Sequence, residues 1–171
     1  FYMVKKSAIQ LKSMSKKIKL MISDVDGVLT DGSMYYSIRG EIMKKFHTHD
    51  GMGVELLLKN NIYTILMTKE KSQIVKKRAL KIKIKETFLG VQEKEKLLDN
   101  LCLKYDLKPE NIAYIGDDLN DLKIMKLVGL SASPNNGISE VKKIANYICK
   151  KNGGNGAFRE FADLIIHNKS N

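Results

Sequence analysis

The sequence predicts an α/β fold: a doubly wound, Rossmann-like parallel sheet with helices on both faces and a protruding β-hairpin. Three observations carry that reading. Short apolar runs, each the length of a buried strand, alternate with segments of helical periodicity along the chain. Two of those runs, residues 18–22 and 112–115, lead into acidic clusters that contain glycine. No linker or repeat interrupts the alternation, and 171 residues suit a single domain with a full core. Residues 18–171 are read as that domain and residues 1–17 as an N-terminal extension. In the extension Val4, Ile9, Leu11 and Met14 stand among lysines, as a short amphipathic helix or a loose tail. Phe1 and Tyr2 precede the first Met and are read as a remnant ahead of it.

The first strand runs into Ser23-Asp24-Val25-Asp26-Gly27-Val28-Leu29-Thr30-Asp31-Gly32. Residues two apart on a strand face one side, so Asp24 and Asp26 begin close together. Their mutual repulsion calls for an offset. A divalent cation with oxygen ligands is the usual one, with Mg²⁺ first. For Asp-x-Asp alone, an acidic turn is the plainer reading. Two β-capable runs follow, around the turn Ser37-Ile38-Arg39-Gly40, and read as a hairpin over residues 33–46. Its sides carry Met34, Tyr36, Ile42 and Phe46. An apolar hairpin leaving the sheet needs cover, which a second subunit would supply.

Next comes His47-Thr48-His49-Asp50-Gly51-Met52-Gly53. Two histidines and an aspartate suggest a metal site, but nothing nearby completes a tetrahedral set. Hydrogen bonding or substrate contact is the better reading. Asp50 is expected to cap a helix that buries Val54, Leu57 and Leu58. A strand over 63–67 ends at Thr68. A helix over 71–81 turns Ile74 and Val75 inward, and 85–88 reads as a short strand. Lys94 then opens a helix over 93–105 with the stripe Leu97, Leu98, Leu101 and Tyr105.

After Pro109, the strand at 112–115 runs into Gly116-Asp117-Asp118-Leu119-Asn120-Asp121. A helix carrying Leu122, Ile124, Met125 and Val128 stops at Gly129. A strand at 130–132, a helix through Val141 and Ile144, and a strand at 147–149 follow. Gly153-Gly154-Asn155-Gly156 then opens a last helix over 157–166, with Phe158, Phe161, Leu164 and Ile165 apolar. Asp24 and Asp117 are 93 residues apart, so only the fold unites the two acidic clusters. In a parallel sheet both strand ends share the edge where α/β folds place their sites.

Lys and Arg number 30 against 19 Asp and Glu, for a net charge of +11. The lysines are spread along the whole chain, without an arginine-rich arm or aromatic-interleaved basic segment, so nucleic acid is not the expected partner. Such a field draws anionic substrates. A non-catalytic basic binding module is the alternative class. No apolar run approaches the ~20 residues that cross a bilayer, and no secretory signal is visible. Cys102 and Cys149 lack metal-like spacing and read as reduced packing residues. Together these place the protein in the cytoplasm, away from membranes.

Asp-x-Asp, Thr after a strand, Lys, then Gly-Asp-Asp-x-x-Asp, in that order, resembles the haloacid dehalogenase-like phosphohydrolases from Lys19 to about Ile166. The resemblance implies a Mg²⁺-dependent phosphatase. Asp24 would be the nucleophile, forming an aspartyl-phosphate. Asp26 would be the general acid and base. Asp24, Asp117 and the backbone carbonyl of Asp26 would hold Mg²⁺. Thr68 and Lys94 would contact the transferring phosphoryl group. Asp118 and Asp121 would support the metal or Lys94, and Asn120 would be a nearby polar contact.

The hairpin and one helix fill the space between the first motif and the next strand, so no cap domain is expected. Asp-Val-Asp-Gly-Val-Leu-Thr-Asp-Gly, Gly-Glu with Lys-Lys-Phe, Asp-Gly-x-Gly and Gly153-Gly154-Asn155-Gly156-Ala157-Phe158-Arg159-Glu160 narrow the match. They are similar to capless, homotetrameric phosphatases of 3-deoxy-octulosonate 8-phosphate or of nonulosonate 9-phosphates, enzymes of lipopolysaccharide or sialic acid biosynthesis. In that branch a neighbouring subunit helps close each site.

One departure stands out. Thr68-Lys69-Glu70 replaces the Thr-Gly-Arg usual in the octulosonate enzymes. Glu70 would repel a substrate carboxylate and accept from hydroxyls, with Lys81, Arg78 and a neighbour's Arg159 as candidate cations. His47, Asp50 and Gly51 complete the expected substrate contacts. On this reading a nonulosonate 9-phosphate is the better substrate. Another small metabolite phosphate, or phosphoryl transfer to sugar, is the enzymatic alternative.

Overall fold

The structure, a computed structural model, describes residues 6–170. Val4, Phe1 and Tyr2 lie outside the described residues. The chain runs α1 (Ala8–Lys17), β1 (Leu20–Ser23), β2 (Tyr35–Ser37), β3 (Gly40–Met43), α2 (Thr48–Lys59), β4 (Tyr63–Thr68), α3 (Gln73–Lys81), β5 (Glu86–Leu89), α4 (Leu98–Tyr105), β6 (Ile112–Ile115), α5 (Leu122–Leu127), β7 (Leu130–Ser133), α6 (Ser139–Ile144), β8 (Tyr147–Ile148) and α7 (Ala157–Ser170). Among the described residues the main sheet has six strands in the order β5-β4-β1-β6-β7-β8, all parallel.

The central strands are buried on both faces. Residues of β1, β4 and β6 alternate between two cores. Leu20, Ile22, Ile65, Met67, Ile112 and Tyr114 pack with Leu98, Leu101, Ile124, Met125 and Val141 from α4, α5 and α6. Met21, Leu66, Ala113 and Ile115 pack with Val54, Leu57, Val75, Phe158, Phe161 and Ile165 from α2, α3 and α7. A strand covered twice reads as a continuous apolar run, which is how these strands stand in the sequence.

The chain winds outward from β1 through β4 to β5, then returns across the sheet to β6. β1 and β6 are therefore neighbours at the point where winding reverses, and their carboxyl ends flank a crevice. β2 and β3 form the predicted hairpin. Met34, Tyr36, Ile38, Ile42 and Met43 on it are exposed. Phe46 departs from expectation. It bridges to Thr30 and packs on the core instead of lying on the hairpin's open side.

Three further points are decided by packing and local geometry. The segment read as an extension is, from Ala8, a helix packed on α7 through Leu11 and Met14, with Lys169 Nζ donating to the Ile18 carbonyl at 2.8 Å. Asp50 does not cap α2. His47 does, its Nδ1 accepting from the His49 N–H at 3.1 Å, and Asp50 lies buried in the first turn. The expected helix over 93–105 begins as a 3₁₀ turn, Lys94–Leu97, before α4.

Candidate active site

The crevice is built from strand ends. β1 delivers Asp24, whose Oδ1 accepts from the Val25 N–H at 2.7 Å and stands 2.9 Å from Lys94 Nζ. Lys94 has no exposed surface and reaches Asp121 Oδ1 at 2.7 Å. Asp121 is a hub. Its Oδ1 also accepts from the Tyr114 hydroxyl at 2.5 Å, and its Oδ2 accepts from the N–H groups of Asp117 and Asp118 at 2.9 and 3.2 Å. The turn after β6 is thus folded around one buried carboxylate, which fixes where Asp117 points.

Asp24, Asp117 and Asp121 each place a carboxylate oxygen within 4.8 Å of the others. Burial first, and then the neighbouring carboxylates, push Asp24 and Asp117 well above the usual carboxylate range, against the pull of Lys94. One ammonium does not balance three clustered acids, two of them buried, and Asp117 Oδ1 is itself buried with no hydrogen-bond partner. That donor set fits a hard divalent cation with oxygen ligands. Both oxygens of Asp121 are engaged, so Asp24 and Asp117 are the carboxylates left to hold it. Burial opposes the charge on Lys94, but Asp24 and Asp121 outweigh it and hold the ammonium above its ordinary value.

Asp26 stands beyond Asp24. Its Oδ2 accepts from the Thr68 hydroxyl at 3.4 Å, and Thr68 Oγ1 accepts from the Glu70 N–H at 3.1 Å. Its Oδ1 lies 2.5 Å from Lys44 Nζ, a contact that sequence reasoning missed. The only sequence signal was the Lys-Lys pair after Glu41, which does not say which lysine turns inward. Tyr114 was likewise read only as a strand residue. The loop after β1 is propped from the C-terminal side, where the Gly154 N–H donates to the Val28 carbonyl at 2.9 Å.

A cleft of about 440 Å³ opens above these groups, lined by Asp24, Asp26, Thr68, Lys69, Glu70, Asp117, Asp118, Leu119 and Asn120. Asp118 is exposed and caps the turn, its Oδ1 accepting from the Leu119 N–H at 2.7 Å.

Several expected substrate contacts lie elsewhere within this chain. Arg78 donates to the His47 carbonyl at 3.3 Å and lies over Phe46. With Gly51 and Lys81 it lines a separate lateral cleft. Asp50 accepts from the Arg159 N–H at 2.9 Å, and Arg159 Nε pairs with Asp163 at 2.8 Å. Of the substrate set, Glu70 and Asn120 alone line the cleft. No helix among the described residues is long and apolar enough to cross a membrane.

A family model described as haloacid dehalogenase-like hydrolase matches residues 89–161. The 3-deoxy-D-manno-octulosonate 8-phosphate phosphatase of Haemophilus influenzae is 38% identical over 151 residues, 88% of this chain and 84% of that protein. Its cobalt-bound structure superposes with a TM-score of 0.89 at 36% identity, over 92% of each chain. The corresponding enzyme of Moraxella catarrhalis, solved with magnesium ion, phosphate ion and KDO molecule, gives a TM-score of 0.91 at 36% identity, over 95% of this chain and 93% of that one. With this fold, this crevice and relatives matched over most of their length, the chain belongs to the haloacid dehalogenase-like hydrolases, in the branch of capless sugar-acid phosphatases, and is a phosphoric monoester hydrolase.

Proposed function

We propose that the chain hydrolyses 3-deoxy-D-manno-octulosonate 8-phosphate, with Mg²⁺, through an aspartyl-phosphate on Asp24. One observation carries the reading: Asp24, Asp26, Thr68, Lys94 and Asp117, scattered over 93 residues, converge on one crevice, with Lys94 buried against Asp24. The names of the relatives supply the substrate.

Asp24 attacks phosphorus. The bond to the ester oxygen breaks, its electron pair goes to that oxygen, and the proton on Asp26 follows. Asp26, now a carboxylate, takes a proton from water as the water oxygen attacks phosphorus. The bond to Asp24 then breaks and its electron pair returns to the carboxylate. Proton transfer of this kind is worth about 10²–10⁴-fold. Thr68 would donate to a phosphoryl oxygen, and Lys94 holds Asp24 in line. Asp24, Asp117 and the Asp26 carbonyl would hold Mg²⁺, which offsets repulsion between nucleophile and phosphate. The exposed hairpin would be covered by further copies of the chain, as a homotetramer. That assembly would bring a neighbour's residues, Arg159 among them, toward each cleft.

The test is phosphate release from a panel of sugar-acid and common metabolite phosphates. Asp24→Asn should stay folded and lose more than about 10³-fold in rate, as covalent nucleophiles do. Wild-type rates in that variant would sink the assignment. Glu70, at the cleft wall, favours a second reading, a nonulosonate 9-phosphate. The ratio of kcat/KM for the two substrates, in wild type and Glu70→Arg, separates them. A wild-type preference for the nine-carbon ester that Glu70→Arg reverses would establish the second reading.

A further inference from the structure

We propose that Lys44 is a positioning residue for Asp26: it clamps Oδ1 and so aims Oδ2 at the ester oxygen. The inference rests on the role given to Asp26 above. Within the hairpin and its flank, residues 33–45, Lys44 is the one buried side chain. Ile42 and Met43 before it are 59% and 50% exposed, and Lys45 after it reaches outward to Asp31. A lysine is not buried without partners. Lys44 Nζ has two: Asp26 Oδ1 at 2.5 Å and Glu41 Oε1 at 2.6 Å. The second oxygen of Glu41 accepts from the Ser72 hydroxyl, and Ser72 caps α3, accepting from the Val75 N–H at 3.4 Å. The clamp is therefore braced by a helix end and does not depend on the hairpin alone.

An aspartate side chain has two soft torsions, and holding one oxygen decides where the other points. With Oδ1 on Lys44, Oδ2 lies beside the Thr68 hydroxyl, where the phosphoryl group would sit. The pair with Glu41 lies within the hairpin, and the Glu41–Ser72 contact already ties the hairpin to α3. The contact to Asp26 is the one that reaches the crevice, and it places the oxygen that carries the proton.

The proton matters in proportion to the leaving group. An alkoxide needs it as the ester bond breaks, whereas p-nitrophenolate leaves without it. kcat/KM covers steps only up to that cleavage, so it isolates this role from the hydrolysis of the aspartyl-phosphate.

The experiment measures kcat/KM at saturating Mg²⁺ for p-nitrophenyl phosphate and for the alkyl ester 3-deoxy-D-manno-octulosonate 8-phosphate. Lys44→Met should lose about 30-fold or more on the alkyl ester and under about 3-fold on the aryl ester, the former being a part of the roughly 10²–10⁴-fold that proton transfer supplies. Lys44→Arg should recover most of the alkyl rate. Equal losses on both esters, or none, would overturn the proposal. If Lys44→Met does not fold, Glu41→Gln takes its place: it loosens the brace and should cut the alkyl rate selectively, by about 5-fold, with parallel losses again decisive against. Asp26→Asn and Asp24→Asn run alongside. Asp24→Asn retaining activity, or Asp26→Asn losing equally on both esters, would mean instead that the proposed mechanism is wrong.

Discussion

Gly27→Ala is the sharpest probe of how the loop after β1 and the turn after β6 share one space. Gly27 has φ +90°, and a Cβ there would stand 1.9 Å from Asp117 Oδ2. Ordinary contact begins at 3.4 Å, so the carboxylate must retreat by about 1.5 Å. Its backbone N–H is tied to Asp121 Oδ2, so the retreat must come from turning the side chain away from its place in the acidic cluster. A misplacement of about 1 Å costs on the order of 10²-fold in rate. We therefore expect kcat/KM to fall about 100-fold and the Mg²⁺ midpoint to rise at least about 10-fold.

The positive φ adds roughly 1–2 kcal/mol of backbone cost, a loss of a few degrees in Tm for a chain of this size. Gly156→Ala separates the two effects. Its φ is +97°, yet nothing lies within 4 Å of its Cβ, so it should show the loss in Tm at unchanged Mg²⁺ dependence. The assay is phosphate release against Mg²⁺ concentration, with thermal unfolding in parallel. Wild-type Mg²⁺ dependence in Gly27→Ala would refute the reasoning.

Three further outcomes are expected. Lys94→Met leaves Asp24 and Asp121 without their buried cation and should destabilise the metal-free protein by about 3–5 kcal/mol in denaturant unfolding, with part of the loss returned by Mg²⁺. Asp50 is held above its ordinary 3.8 by burial, against the Arg159 N–H, so the protonated form is favoured on folding. Its contribution is greatest below 3.8 and is lost as pH rises through the raised value; Asp50→Asn should flatten that dependence, and an unchanged stability profile would count against it. The exposed apolar hairpin should hold the protein as a tetramer in light scattering at micromolar concentration, and a monodisperse monomer there would remove that assembly.

The sequence by itself determined the class of fold and the order of its elements. Strands buried on both faces must be apolar along their length, and helices buried on one face must repeat every three to four residues, so both signals are local. It also determined the residues of the crevice that share one strand end or one turn, Asp24 with Asp26 and Asp117 with Asp121. Thr68 and Lys94 were legible through their places in an ordered motif.

The tertiary structure decided what depends on contacts between distant segments. Lys44 and Lys45 are adjacent and chemically identical. Only the path of the hairpin turns one onto Asp26 and the other out to Asp31. Asp121 and Asp118 stand in the same short motif. Burial by Lys94 and Tyr114 makes the first a hub, while the second stays exposed as a cap. Arg78, Lys81 and Arg159 carry the charge expected of substrate contacts, yet their partners within the chain are the His47 carbonyl, a lateral cleft and Asp163. A cation's reach and direction are set by the element that carries it, and periodicity does not encode which pocket that element faces.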